Sequence, residues 1–250
     1  MKAMIFAAGL GTRLKPLTDR MPKALVPLAG KPLLQWQVEK LRDAGITDII
    51  VNVHHFPDMI IDTIRANQGW GCNILISDER DQLLDTGGGL KKAINHSPFA
   101  LRHSPLLACN VDILSNLNLR ALISGYSSLS GLSSLLVVSP RETQRYLLFD
   151  DDLTLRGWTN IKTGEVRPSS LHHCIIPSLR KLAFSGCQIL SPETLSLLSQ
   201  MPEDKFSLID FYLQVMNKVP LKAYIPNAFR MMDVGKIDQI EAAEAFAATL

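Results

Sequence analysis

The first stretch whose residues could do chemistry is Ala7-Ala8-Gly9-Leu10-Gly11-Thr12-Arg13-Leu14-Lys15-Pro16-Leu17-Thr18, directly behind the apolar run Lys2 to Phe6. Glycine has no Cβ, so a turn built on Gly9 and Gly11 lets backbone N–H groups come close to an anion. Arg13 adds a planar fork of donors that fits two phosphate oxygens at once. The same residues could also form a plain tight turn with an arginine in water. The turn is not the dinucleotide fingerprint, because Leu14 stands where a third glycine belongs. Ten residues after Arg13 comes Lys23, within Met21-Pro22-Lys23-Ala24-Leu25-Val26-Pro27-Leu28. The prolines favour an extended backbone, so Lys23 is held with little freedom and could neutralise charge on a transferring phosphoryl group. An exposed lysine in a connecting loop is the other reading.

Further along, Thr86-Gly87-Gly88-Gly89 leads into Leu90-Lys91-Lys92-Ala93 and opens a helix. Its amino end and free N–H groups could hold ribose or base edges, or merely begin the helix. Asp112 ends the apolar run Leu106 to Val111, at the edge where parallel sheets collect ligands. Asp233 stands just ahead of Gly235. Either aspartate could also be a turn residue or a helix cap. The pairs His54-His55 and His172-His173 invite a metal reading, but neighbours in a strand point to opposite faces, which favours packing or surface roles. Cys72, Cys109, Cys174 and Cys187 stand alone in apolar stretches, as buried thiols do.

Positioning these groups requires a sheet. Lys2 to Phe6, Asp48 to Val53, Cys72 to Ile76, Leu106 to Val111 and Leu135 to Val138 read as strands. Between them lie helical patterns: Pro32 to Ala44, Pro57 to Asn67, Gly88 to Ile94 and Leu117 to Gly125. Strands alternating with helices imply right-handed crossovers and a mostly parallel sheet covered on both faces. From about Tyr146 shorter strands follow: Leu147 to Phe149, Leu153 to Trp158, His172 to Ile176 and Leu182 to Ile189. They predict an antiparallel extension closing over the carboxyl ends of the parallel strands. Helices at Pro192 to Gln200 and Ser207 to Asn217, a strand at Leu221 to Ile225 and a closing helix from Lys236 complete the chain. With 46% apolar and 20% charged residues, the 250-residue chain reads as one globular domain, 1–250. A net charge of +2 without basic runs excludes a non-specific nucleic-acid binder. The absence of a roughly 18-residue apolar run predicts no membrane span, and a cytoplasmic location is expected.

Lys2 to Pro32, reading KAMIFAAGLGTRLKPLTDRMPKALVPLAGKP, resembles the amino-terminal signature of sugar-1-phosphate nucleotidyltransferases in order and spacing. Leu84-Asp85-Thr86-Gly87-Gly88-Gly89, Asn110-Val111-Asp112, Phe184-Ser185-Gly186 and Asp233-Val234-Gly235 extend the resemblance over nearly the whole chain. Within the family the chain is most similar to N-acetylmuramate 1-phosphate uridylyltransferases of cell-wall recycling. The resemblance implies a Rossmann-like, glycosyltransferase-A-like α/β fold, with 1–140 as the nucleotide part and 141–250 as the sugar part and closing helix. It implies a magnesium ion held by Asp112 and Asp233, with Arg13, Lys23 and Asp112 as catalytic residues. Ala8, Gly9, Gly11, Thr12, Arg13, Lys23, Gln82, Thr86 and Gly87 would hold the nucleoside triphosphate, and Asn110 and Gly186 would face the sugar 1-phosphate. A monomer or small homo-oligomer is expected.

One departure is Val111, where the family commonly has glycine before the first metal aspartate. Arg141 to His173 matches the family weakly. Rival readings are a guanylyl-, thymidylyl- or cytidylyltransferase, a nucleotide-sensing relative without catalysis, and a nicotinamide-binding oxidoreductase. A sensor would lack one of Arg13, Lys23 and the two aspartates, yet all four are present.

Overall fold

Strand β1 (Lys2–Phe6) sets the layering: Ala3 and Ile5 face one apolar cluster, and Met4 and Phe6 face the other. This is the two-residue period of a strand buried on both sides. The computed structural model describes residues 1–129, 133–171 and 176–250. After β1 the strands are β2 (Pro27–Leu28), β3 (Lys31–Pro32), β4 (Asp48–Val53), β5 (Asn73–Asp78), β6 (Leu106–Asn110), β7 (Ile113–Ser115) and β8 (Ser134–Ser139). There follow β9 (Arg145–Phe149), β10 (Leu155–Asn160), β11 (Glu165–Arg167), β12 (Arg180–Leu190), β13 (Leu221–Tyr224) and β14 (Met231–Asp233). The α-helices are α1 (Leu33–Asp43), α2 (Pro57–Ala66), α3 (Asp85–His96), α4 (Leu119–Ser127), α5 (Pro192–Ser199), α6 (Leu208–Val215) and α7 (Ile240–Ala247).

Among the described residues ten strands form one sheet in the order β11-β10-β9-β12-β6-β1-β4-β5, with β8 paired to β12 and β13 to β8. β6, β1, β4 and β5 run parallel, so Asn110, Phe6, Val53 and Asp78 end on one edge. Helices α1, α2, α4 and α7 cover one face through Leu34, Ile60, Leu122 and Ala243. Helices α3, α5 and α6 cover the other through Leu90, Leu195 and Phe211. Each large apolar side chain buried this way stabilises the fold by about 1.5–3 kcal/mol. Proline before the first turn and glycine after the last bound α1: Pro32 is extended, and Gly45 takes a left-handed φ of 89°. Among the described residues no helix is long and apolar enough to cross a membrane.

The α/β architecture agrees with the sequence reading, and two details differ. The antiparallel strands are not a separate cover, because β12 hydrogen-bonds directly to β6 through Cys187 to Leu190. β8, expected to continue the parallel series, runs antiparallel on β12 instead. Both involve β12, eleven residues long, whose pairing is irregular between Phe184 and Gln188, around Gly186 at φ 74°. A left-handed residue there lets one strand serve β9 with its first part and β6 with its last. The expected strand His172 to Ile176 falls largely on residues 172–175, outside the described ones, as do His172, His173 and Cys174.

Candidate active site

The glycine turn leaves β1 at the carboxyl edge and is pinned from below. Gly11 takes a left-handed φ of 64°, and its carbonyl accepts a hydrogen bond from the Thr18 hydroxyl at 2.9 Å. A Cβ on Gly11 would lie 2.8 Å from Thr18 Cγ2 and 3.0 Å from Lys23 Cβ, so glycine is required by both backbone and space. The turn thereby lies directly on Lys23. Gly9, Thr12 and Arg13 are exposed at its crest, whereas Ala8 is buried beneath.

Two acids 121 residues apart meet beside this turn. β14 pairs antiparallel with β7, setting Asp233 opposite Ile113, and the N–H of Val234 donates to the carbonyl of Asp112 at 2.8 Å. Lys23, only 8% exposed, pairs its ammonium with the Asp112 carboxylate. Arg13 lies 3.7 Å from the Asp233 carboxylate, with both side chains about half exposed. Gly235 completes the corner: a Cβ there would be 2.6 Å from Asp233 Oδ1 and 2.7 Å from Arg13 Nη2. One open cleft is lined by Gly9, Gly11, Thr12, Arg13, Lys23, Thr86, Asn110, Val111, Asp112 and Gly235. Val111 packs its side chain into the core and donates its N–H to Phe6.

Gln82, Gly87 and Gly186 do not line this cleft. Gln82 lines a neighbouring depression with Lys91, Asn95 and Asp204. Gly87 corrects the expectation of free N–H groups at the start of α3. Its N–H donates to the Phe206 carbonyl at 2.9 Å, and the N–H of Gly88 reaches the same oxygen at 3.2 Å. These glycines serve close packing, since a Cβ on Gly87 would strike the Phe206 ring and one on Gly88 the Asp204 carbonyl. Gly186 stands behind Asn110, where a Cβ would come 2.8 Å from Asn110 Nδ2. His54 and His55 contact the backbone carbonyls of Glu79 and Thr18, at 2.7 and 2.9 Å.

Three residues escaped the sequence reading. Asn52 and Glu79 form a buried pair behind the turn. Arg141 donates to the Phe184 carbonyl at 2.9 Å, and its guanidinium is pushed down by burial and held up by the Asp233 charge. The available signal was Asn52, a polar residue inside the apolar run Ile49 to Val53; Glu79, third in the polar stretch after Ile76, carried none.

Lys23 and Asp112 thus line the cleft with Gly9 and Gly11, and Arg13 of the same cleft faces Asp233 at its corner. That set can bind phosphate oxygens, and two hard carboxylate donors completed by phosphate and water suit a cation such as magnesium. Among the described residues no three His, Cys, Asp or Glu gather as an all-protein metal cage.

Comparison with known proteins gives a match to the family described as nucleotidyl transferase over residues 2–249. The chain is 45% identical over 112 residues to N-acetylmuramate alpha-1-phosphate uridylyltransferase of Caulobacter vibrioides, covering 44% of this chain and 45% of that one. It is 35% identical over 196 residues to the protein of that name from Neisseria meningitidis serogroup B, covering 77% of this chain and 76% of that one. The chain therefore spans less than half of the first relative and about three quarters of the second. The solved UDP-glucose pyrophosphorylase from Acinetobacter baumanii shares the fold, with a TM-score of 0.76 at 18% identity over 98% of this chain and 92% of that one.

Proposed function

The chain belongs to the nucleotidyl transferase family, and from that premise we propose that it transfers UMP from UTP to a sugar 1-phosphate and releases pyrophosphate. The observation that carries this reading is the meeting of Arg13, Lys23, Asp112 and Asp233 around one glycine turn. N-acetylmuramate 1-phosphate is the proposed acceptor, on the strength of the two uridylyltransferases at 45% and 35% identity.

In this reading no side chain attacks. A phosphate oxygen of the sugar 1-phosphate forms a bond to the α-phosphorus, and the bond from that phosphorus to the bridging oxygen breaks as pyrophosphate leaves. Catalysis is then positioning and charge neutralisation. Arg13 and the N–H groups of the turn hold the outer phosphates of UTP. Lys23 has a buried stem, so in this reading it keeps a fixed place beside the α-phosphate. Asp112 and Asp233 are the donors that would hold magnesium, which when bound offsets the charge of the reacting phosphates. Thr86 borders the nucleoside side of the cleft, and Asn110, backed by Gly186, borders the sugar side. A cytoplasmic place of action is proposed with this reaction.

The test is turnover of each of the four nucleoside triphosphates against N-acetylmuramate 1-phosphate, glucose 1-phosphate and mannose 1-phosphate, read as pyrophosphate release. UTP with N-acetylmuramate 1-phosphate should give the highest kcat/KM. Preference for another base or sugar refutes the substrate assignment, and no turnover with any pair refutes the reaction.

A further inference from the structure

Behind the glycine turn lies a buried polar relay that touches no reacting atom. Glu79, 1% exposed, accepts hydrogen bonds from Asn52 Nδ2 at 2.7 Å and from the N–H of Leu84 at 3.2 Å, one on each carboxylate oxygen. Asn52, 2% exposed, turns its Oδ1 to the N–H of Ala7 at 2.7 Å. Ala7 begins the turn, and Leu84 lies in the loop that leads to Thr86. We infer that Glu79 is a positioning residue for nucleotide binding, fixing through Asn52 the backbone of the phosphate turn and, through Leu84, the loop on the nucleoside side.

The reason lies in what each group can donate and accept. A carboxylate only accepts, whereas a carboxamide has one accepting and one donating end. Facing Glu79, Asn52 can present only its NH2, and this leaves its oxygen for Ala7. Reversed, the amide would set NH2 against the Ala7 N–H and oxygen against the carboxylate. Helix α3 lies close over the pair: a Cβ on Gly89 would be 2.6 Å from Glu79 Oε1 and 2.9 Å from Asn52 Nδ2. Lys92 of α3 and His54 after β4 are the charged or titratable groups facing Glu79, and burial outweighs them in raising its carboxyl above the ordinary value. A buried, strictly accepting group costs free energy unless every neighbour donates to it, and here both do.

This inference rests on the proposed nucleotide site, and an exchange of the two functional groups tests it separately. Glu79→Gln offers one oxygen and one NH2 to two donors, so one donor is left facing NH2. Asn52→Asp sets two carboxylates against each other. Combined, the new carboxylate at position 52 accepts from Ala7 and from the new amide at position 79, whose oxygen accepts from Leu84. Every donor is matched again and the net charge is unchanged.

The measurements are Kd for UTP by calorimetry, KM and kcat by pyrophosphate release, and Tm. Each single substitution should weaken UTP binding by roughly ten- to hundredfold, the range for a hydrogen bond to a charged group. The double variant should return to within about threefold of wild type, since contacting sites couple. Wild-type Kd and KM in Glu79→Gln, with only Tm lowered, would reduce the pair to a fold-stabilising role and overturn the inference. So would a double variant no better than the singles. Should one single variant not fold, the double is judged against the other. Absence of turnover in the wild type would sink the reaction assignment alone, because Kd still reads the relay.

Discussion

Gly235→Ala separates fold from function at the corner of the site. The added Cβ would stand 2.6 Å from Asp233 Oδ1 and 2.7 Å from Arg13 Nη2. Ordinary contact begins near 3.4 Å, so each group must retreat by about 0.7–0.8 Å. Both are the ends of flexible, half-exposed side chains, and moving them costs the fold little. Gly235 also lies outside the left-handed region, so alanine suits its backbone. Restricting the unfolded chain then stabilises by about 0.4–1 kcal/mol, a rise in Tm of about 1–4 °C for a chain of this size. Function should move the other way. A displacement near 1 Å of a positioning group can cost about 100-fold in rate, roughly 2.7 kcal/mol of transition-state stabilisation. The assay is kcat/KM by pyrophosphate release beside a thermal melt. A kcat/KM within about threefold of wild type would refute the placement of Arg13 and Asp233 at the reacting phosphates.

Asp112→Asn keeps the shape of the side chain but removes its charge, so turnover should fall by about 1,000-fold with an unchanged circular dichroism spectrum; normal activity would remove the metal assignment. Gly88→Ala should lower Tm, because its Cβ would strike the main-chain oxygen of Asp204. The overpacking cost of about 1–3 kcal/mol exceeds the roughly 1 kcal/mol gained in helix propensity, and a stabilised variant would contradict that packing. For Glu79, burial raises the carboxyl above its ordinary 4.5, so as pH falls the folded chain takes up this proton before the unfolded chain does. Its contribution to stability is present below about pH 4.5 and is lost as pH rises through the raised value. The relay needs the ionised form, so UTP affinity should weaken as pH falls through that value, and Glu79→Gln should lack this step; an identical acid limb in both proteins would refute it.

Much of the candidate site was legible because its parts are local. The run from Gly9 to Lys23 follows a strand, and its glycines, arginine and prolines carry their reasons with them. Asp112 was legible as the end of an apolar run. Its meeting with Asp233 depends on the register of β14 on β7, which no periodicity reveals and which entered through resemblance. The role of Gly87 and Gly88 was hidden for a like reason. A helix that starts with glycines looks open until the segment 204–206 is laid across it. The place of β12 within the sheet was also beyond reach, because alternation shows which face a residue takes and not which strand lies beside it.

The ribbon of β7 and β14 has three residue pairs and stands apart from the ten-stranded sheet. It joins chain segments about 120 residues apart, and closing so long a span carries an entropic cost that three pairs offset weakly. A ligand gripping both acids would act as a fastener across that seam and shift the local opening equilibrium more than the global one. Amide exchange should therefore slow at 113–115 and 231–233 when UTP and magnesium are added, while β1, β4 and β6 stay as protected as before.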